Sequence, residues 1–164
     1  KVKVETGKLT LTGPKGSKEL SINDKIFSAS ISNDNNLIIK LIKKNESSNM
    51  LWGTTRSLIN SAVLGVSVGH EKTLELSGVG FRAMLKGDIL NLQLGFSHDT
   101  SYSIPKGVKI AVEKNTTIKI NGIDKELVGK VASEIKMLKP VEPYKAKGIK
   151  EKGQYVLRKE GKKK

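Results

Sequence analysis

The residues of this chain best suited to chemistry are the lysines and arginines near its C-terminal end. Residues 139–164 contain ten Lys or Arg and three Glu, so they carry a net +7 out of the formal +14. Charges at this density neutralise phosphates and release counterions. Two prolines, three glycines and little apolar periodicity predict a mostly unstructured arm. We therefore expect a large anionic partner, nucleic acid first, with an ordinary soluble basic surface as the alternative.

The other residues do not form a catalytic or cofactor motif. The absence of cysteine excludes disulfides, thiolate chemistry and cysteine-ligated zinc. His70 and His98 lie at predicted turns without a second ligand at metal spacing. Gly78-Val79-Gly80 precedes a strand-like segment, not a helix, which favours a bulge or close backbone approach over a dinucleotide site. We therefore expect that the chain is not an enzyme and that it binds no cofactor, metal or small-molecule substrate.

The first half of the chain, which belongs to the folded part that positions the basic arm, starts with segments predicted to be β-strands. Apolar and polar residues alternate in 9–12, 19–22 and 27–31, and residues 37–41 are typical of a buried strand. Turns are predicted at 13–16 and 33–36, and a polar loop at 43–49. A helix should follow, with apolar residues at Leu51, Leu58, Ile59 and Ala62 and a C-cap at Gly65.

The second half repeats this order. Strands are predicted around Leu90 and Leu92, at 101–104, at 108–112 and at 118–120, with turns at 105–107, 115–117 and Asn121-Gly122. Asp124 is a plausible N-cap for a helix. The apolar face of that helix would comprise Val128, Val131, Ala132, Ile135 and Leu138.

The two halves correspond at a constant spacing. Apolar strand residues pair at an offset of 81, as in Leu9 with Leu90 and Ile39 with Ile120, and helix residues pair at an offset of 73. An insertion at 43–49 would explain the difference of eight. We predict an α+β protein with two tandem domains of similar fold, each an antiparallel sheet packed by one helix and related by duplication. The predicted divisions are a first domain at 1–66, a second domain at 67–139 and a basic C-terminal extension at 140–164. The alternative to duplication is that two unrelated α+β halves align by chance.

Four segments in this order resemble large-subunit ribosomal protein six, the uL6 family of bacteria and organelles. They are residues 53–60 (GTTRSLIN), 72–83 (KTLELSGVGFRA), 92–98 (LQLGFSH) and 143–149 (PYKAKGI). The resemblance implies two α+β domains and binding to large-subunit rRNA close to the sarcin–ricin loop, at the base of the stalk where translational GTPases dock. It also implies neighbouring ribosomal proteins as partners and a location in the bacterial cytoplasm or in an organelle. The most apolar run, residues 58–69, is too short to span a bilayer, so we expect no membrane contact.

The resemblance and the charge pattern together give a set of candidate rRNA-binding residues. Lysines outnumber arginines 27 to 3, which favours contacts with the RNA backbone and recognition of its shape. Tyr144 could stack on a base or sugar, or it could pack at the root of the arm. Arg82 and Lys86 could reach RNA from the second sheet, or they could form a solvated face. Thr54, Thr55 and Arg56 are expected in the first turn of a helix, where amides favour phosphate; ordinary capping is the alternative. The remaining candidates are His98, Lys139, Lys145, Lys147, Lys150, Arg158, Lys159, Lys162, Lys163 and Lys164.

The chain departs from the family pattern at two places. Members usually carry Gly where this chain has Ala146, so either a turn with positive φ or a close approach of the RNA would be less easily accommodated here. Lys150-Glu151 replaces an Arg-Tyr pair, which puts stacking at this point in doubt. Family members have a short basic segment before the first strand, and this chain, which begins at Lys1, lacks it. We therefore expect a trimmed N-terminus.

Two other functions compete with the ribosomal one. The first is a general nucleic-acid-binding or chaperone-like module outside the ribosome, which cosedimentation with large subunits in high salt would distinguish. The second is a basic enzyme acting on an acidic polymer, which would require a carboxylate pair or metal constellation that the sequence does not contain.

Overall fold

Two compact units make up the computed structural model, which describes residues 1–5, 7–32, 36–42 and 45–161. The units are Lys1–Gly69 and His70–Lys164. Each contains antiparallel strands and one helix, so the predicted α+β class is confirmed. The predicted turn at 33–36 and the loop at 43–49 fall partly outside the described residues.

The first unit contains a three-stranded sheet, a hairpin and a long helix. Strands β1 (Val2–Glu5), β2 (Lys8–Gly13) and β3 (Gly16–Ser21) form the sheet in sequence order. Strands β4 (Phe27–Ile31) and β5 (Leu37–Leu41) form the hairpin, and α1 (Glu46–Ser67) follows. Leu9 and Leu11 of β2 are buried, as the alternating pattern predicts.

Helix α1 differs from its prediction at both ends. It begins at Glu46, inside the segment expected to be a polar loop. Gly65 is a buried helical residue instead of a C-cap, and the helix runs to Ser67 before Gly69 takes a left-handed φ of +89°. Leu51 and Leu58 are 48% and 44% exposed, so the buried face is formed by Ile59, Ala62 and Val66.

The second unit has more strands than the first. Strands β7 (Arg82–Lys86), β8 (Ile89–Gln93) and β9 (Thr100–Ser103) form one sheet. The other sheet has the order β10-β11-β6-β12 and contains β6 (His70–Ser77), β10 (Val108–Glu113), β11 (Thr117–Gly122) and β12 (Gly148–Glu151). Helix α2 (Lys125–Leu138) precedes β12. Asn121 and Gly122 end β11 and do not form the predicted tight turn.

Helix α2 confirms its sequence signals. The side chain of Asp124 accepts a hydrogen bond from the backbone nitrogen of Glu126 at 3.0 Å, which satisfies an otherwise free amide of the first turn. The predicted apolar face is buried at Val128, Val131, Ala132 and Ile135. At the offset of 81, β1–β2–β3 corresponds to β7–β8–β9 and β4–β5 corresponds to β10–β11, as duplication requires.

The prediction of an unstructured arm after residue 139 is wrong for β12. This strand pairs antiparallel with β6, and Ile149 is fully buried opposite Leu76. Because β12 has only four residues, at most two of them point to the buried face. Two residues are too few to show an alternating pattern in the sequence. Part of the basic C-terminal region is therefore integral to the second unit.

Candidate nucleic-acid interface

The connection between α2 and β12, residues 139–147, is a closed turn that we call the basic turn. The backbone nitrogen of Ala146 donates to the Glu142 oxygen at 3.0 Å, and the Glu142 nitrogen donates to the Lys147 oxygen at 2.8 Å. The Ile149 nitrogen donates to the Lys139 oxygen at 2.9 Å, which joins the base of the turn. These bonds give a defined shape to a segment that has no regular secondary structure.

Gly148 holds the basic turn against β12. A side-chain carbon at this position would lie 2.7 Å from the carbonyl oxygen of Pro140 and 2.7 Å from the Cα of Val141. Both contacts are with backbone atoms, which cannot move aside without opening the turn. The glycine therefore allows the start of the turn to lie directly against the strand.

The basic turn presents its polar side chains to solvent. Tyr144 is 54% exposed, and Lys145 and Lys147 are exposed on either side of Ala146. Among the described residues, neither lysine forms an ion pair with a carboxylate. Their ammonium groups are thus available to phosphate oxygens.

Lys139 has a different environment at the base of the turn. Its Nζ lies 4.3 Å from the centroid of the Phe96 ring, within the range of a cation–π contact. Phe96 belongs to the bend that follows β8 and is 46% exposed. The contact connects this bend with the basic turn, and His98 is exposed in the same bend.

The final described residues return to the basic turn. The backbone nitrogen of Lys159 donates to the Pro143 oxygen at 3.0 Å. This bond places the backbone of Lys159 next to the residue that precedes Tyr144, and the side chains of Arg158 and Lys159 are exposed. Lys162, Lys163 and Lys164 lie outside the described residues.

Strand register separates the two candidates on β7. Arg82 pairs with Gln93 at the end of the hairpin from which the Phe96 bend departs. Lys86 pairs with Ile89 at the other end, about 13 Å away along the strand. Arg82 therefore lies at the same end of the hairpin as the bend that carries Phe96 and His98, and Lys86 lies at the opposite end.

Lys150 forms an ion pair within the protein. Its Nζ lies 3.3 Å from an oxygen of Glu75, its register partner on β6. The adjacent Glu151 accepts hydrogen bonds from Lys136 of α2 at 3.0 Å and from Lys72 of β6 at 3.3 Å. The pair that departs from the family pattern therefore connects β12 to β6 and α2.

The reason for placing a phosphate site at Thr54, Thr55 and Arg56 is wrong. Helix α1 begins at Glu46, so these residues lie in its middle, where backbone amides are bonded within the helix. The hydroxyl of Thr54 donates to the Met50 oxygen at 3.2 Å, four residues earlier. Direct side-chain contact of Arg56 with RNA stays a prediction.

Comparison with known proteins identifies the family. The profile described as Ribosomal protein L6 matches residues 77–152. The large ribosomal subunit protein uL6 of Novosphingobium aromaticivorans is 44% identical over 161 residues, covering 98% of this chain and 90% of the relative. Those of Phenylobacterium zucineum and Staphylococcus epidermidis are each 46% identical, covering 99% and 94% of the chain and 91% and 85% of the relatives. The chain belongs to the ribosomal protein L6 family.

Membership of the L6 family agrees with the expected class of protein. L6 proteins are structural, so the chain is not an enzyme. Within the described residues no helix is long and apolar enough to cross a membrane. The same residues contain no cluster of three or more metal-binding side chains.

Ala146 adopts the strained conformation that a glycine would relieve. Its φ is +53°, in the left-handed region that a Cβ disfavours. We expect Ala146→Gly to raise the free energy of unfolding of the second unit by about 0.5–1 kcal/mol, measured by urea denaturation. Ala111→Gly, on the exposed face of β10, is the control and should lower it by a similar amount. Destabilisation by both substitutions would contradict the strain at residue 146.

The Glu151 cluster should make stability depend on pH. Hydrogen bonds from Lys136 and Lys72 hold the pKa of Glu151 below its ordinary 4.5. The carboxylate therefore stabilises the fold above that ordinary value, and the contribution is lost as pH falls through the lowered pKa. Because the side chain is 38% exposed, we expect Glu151→Gln to cost only about 0.5–1 kcal/mol at pH 7.

Unfolding at pH 7 and at pH 3 tests this prediction. The difference between Glu151→Gln and the unchanged chain should shrink at the lower pH, because the contribution of the carboxylate is lost as pH falls through its lowered pKa. Glu160→Gln, at an exposed glutamate without an ion pair among the described residues, serves as the control. A loss that is equal at both pH values would show that the charge of Glu151 is not responsible.

Sequence reasoning did not select Phe96. The seven aromatic residues are scattered along the chain, which gave no reason to expect a stacking surface. The usable signal was its position between Gly95 and Ser97, because these turn-forming residues predict that the ring lies in a bend. Phe96 joins Lys139, Tyr144, Lys145, Lys147, Arg158 and Lys159 in the candidate interface.

Proposed function

We propose that the chain is a structural component of the large ribosomal subunit and that its second unit binds large-subunit rRNA. The observation that carries this proposal is the basic turn, a hydrogen-bonded segment with exposed lysines in a chain of the L6 family. The relatives are named large ribosomal subunit proteins. Bound there, the protein would stabilise the local rRNA structure.

The binding mode follows from the charge chemistry. Lys145 and Lys147 act as point charges toward phosphates, while the exposed ring of Tyr144 can stack on a base or sugar. Arg158 and Lys159 extend the contact because they lie beside the turn. Arg82 and His98 are secondary contacts near the Phe96 bend. Lys150 contributes least, since Glu75 already neutralises it.

The proposed position is close to the sarcin–ricin loop, at the base of the factor-binding stalk. It rests on the family resemblance that the four segments 53–60, 72–83, 92–98 and 143–149 carry together. Neighbouring ribosomal proteins would be the protein partners, and translational GTPases would dock nearby. The bacterial cytoplasm is the proposed location, with an organellar ribosome as the alternative.

Chemical footprinting of large-subunit rRNA tests this function. Adding the chain to particles depleted of their own copy should protect nucleotides at the sarcin–ricin loop and stalk base. Increasing salt should remove the protection steeply, since the contacts are ionic. Protection spread evenly over the RNA would favour a general nucleic-acid-binding module instead.

A further inference from the structure

The turn between β10 and β11, residues 114–116, holds two non-glycine residues in the left-handed conformation. The φ angles of Lys114 and Asn115 are +53° and +57°, and the Thr116 nitrogen donates to the Glu113 oxygen at 3.3 Å. Asparagine tolerates this conformation because its short side chain can hydrogen-bond locally, and lysine has no such compensation. A lysine at position 114 therefore destabilises the turn relative to glycine or asparagine.

Lys114 gains no ion pair within the protein in return for this strain. Its side chain is exposed, and among the described residues no carboxylate pairs with it. The adjacent Glu113 pairs instead with Lys119 at 2.6 Å. Strained non-glycine residues that persist in a fold are concentrated at functional sites. The use of a lysine here therefore points to an anionic partner outside the chain.

Strand pairing places the Lys114 turn at the same end of the four-stranded sheet as the basic turn. Strand β6 ends at Ser77, which pairs with Gly148, the residue directly after the basic turn. On the other side of β6, Glu75 pairs with Thr117, the residue that follows the Lys114 turn. Because β6 lies between β12 and β11, and neighbouring strands are about 4.8 Å apart, the two turns are separated by about 12 Å across the sheet.

The bend that follows β6 lies between the two turns and carries an exposed valine. Val79 is 92% exposed, directly after Gly78. The Phe81 ring is buried against this bend, since a side-chain carbon at Gly78 would lie 2.9 Å from two of the ring carbons. The Ala83 nitrogen donates to the Asn115 oxygen at 2.8 Å, which joins the start of β7 to the Lys114 turn. A small apolar side chain therefore lies in solvent between two positively charged turns.

We propose that this end of the second unit binds a double-helical segment of large-subunit rRNA across its minor groove, with Lys114 contacting phosphates of one strand and the lysines of the basic turn contacting the other. The minor groove of A-form RNA is wide and shallow, whereas side chains cannot read its deep, narrow major groove. Two cationic turns about 12 Å apart match phosphates on either side of such a groove, and Val79 packs on ribose between them. The inference rests on the proposed function and adds Lys114, the class of RNA structure and the groove.

Lys114→Gln tests the phosphate contact by filter binding to large-subunit rRNA between 0.05 and 0.3 M salt. The affinity at 0.15 M should fall about fivefold, and the slope of log K against log salt should become shallower by about 0.9. Lys114→Gly should show the same loss although it relieves the strained φ, which separates the charge from the stability of the turn. The matched control is Lys109→Gln, an exposed lysine near the other end of β10, and it should leave the slope unchanged.

Hydroxyl-radical footprinting of the riboses tests the groove. The unchanged chain should protect nucleotides on both strands of one RNA helix. Lys114→Gln should remove the protection on one strand, and Lys147→Gln should remove it on the other, because the two lysines lie on opposite sides of Val79.

Three results would overturn the inference. Equal affinity and slope for Lys114→Gln and Lys109→Gln, with a localised footprint from the unchanged chain, would remove Lys114 from the interface and leave the proposed function standing. Protection confined to single-stranded nucleotides would exclude the minor-groove mode, again without affecting the proposed function. Absence of any localised footprint from the unchanged chain would refute the inference and the proposed function together.

Discussion

Replacing Lys145 and Lys147 together by glutamine is expected to weaken binding to large-subunit rRNA about 30-fold at 0.15 M salt. Each phosphate contact adds roughly 0.9 to the slope of log K against log salt, so each is worth about 0.7 of a log unit at this salt concentration. Both ammonium groups are exposed and, among the described residues, have no carboxylate partner. The slope should also become shallower by about 2, because two fewer counterions are released.

The matched control removes the same charge elsewhere in the second unit. Lys109 on β10 and Lys125 at the start of α2 are exposed lysines outside the basic turn. Their replacement by glutamine should leave the salt slope unchanged and reduce affinity by less than about threefold, through net charge alone. Filter binding between 0.05 and 0.3 M salt measures both quantities. Equal losses from the two double substitutions would mean that the RNA responds to total charge and not to this turn.

Ile149→Ala is expected to lower the free energy of unfolding of the second unit by about 3 kcal/mol. The side chain is fully buried on β12, so truncation removes apolar contacts and leaves a cavity between β12 and α2. The loss should appear as faster hydrogen exchange at the β6 amides that pair with β12. Deleting residues 139–164 should be at least as damaging, because it removes the whole strand. Such a deletion therefore cannot serve as a test of RNA binding alone.

Leu157→Ala provides the comparison for Ile149→Ala. It also removes apolar carbons from the C-terminal region, but Leu157 is 67% exposed, so the cost should stay below about 0.5 kcal/mol. Similar effects of the two substitutions on β6 exchange would contradict the assignment of Ile149 to the core. RNA binding by Leu157→Ala should match that of the unchanged chain.

Local patterns predicted the parts of the fold that depend on neighbouring residues. Alternation at Leu9 and Leu11, and at Leu90 and Leu92, identified strands because one face of each is buried. Asp124 identified the start of α2 through its capping side chain. The offset of 81 indicated duplication, because equivalent apolar strand residues keep the same spacing in both halves.

Features that depend on distant residues could not be predicted in this way. Strand β12 is short, and its partner β6 lies more than 70 residues earlier, so no local period reveals the pairing. Leu51 and Leu58 have core-like spacing but remain exposed, because spacing alone does not say which face of α1 is covered. The lysines of the basic turn were selected from charge, whereas the use of Lys150 as an internal ion pair required the register of β12.

The position of β12 in the chain has a consequence for synthesis. Its partner β6 opens the second unit at His70, yet the pairing cannot form until residues 148–151 have been translated. Until then the β6 edge that β12 covers stays unpaired in the nascent chain, the situation in which aggregation competes with folding. The same closure fixes the base of the basic turn. Competence to bind RNA should therefore arise late, at almost the same moment as the finished fold, so that incomplete chains do not occupy the RNA.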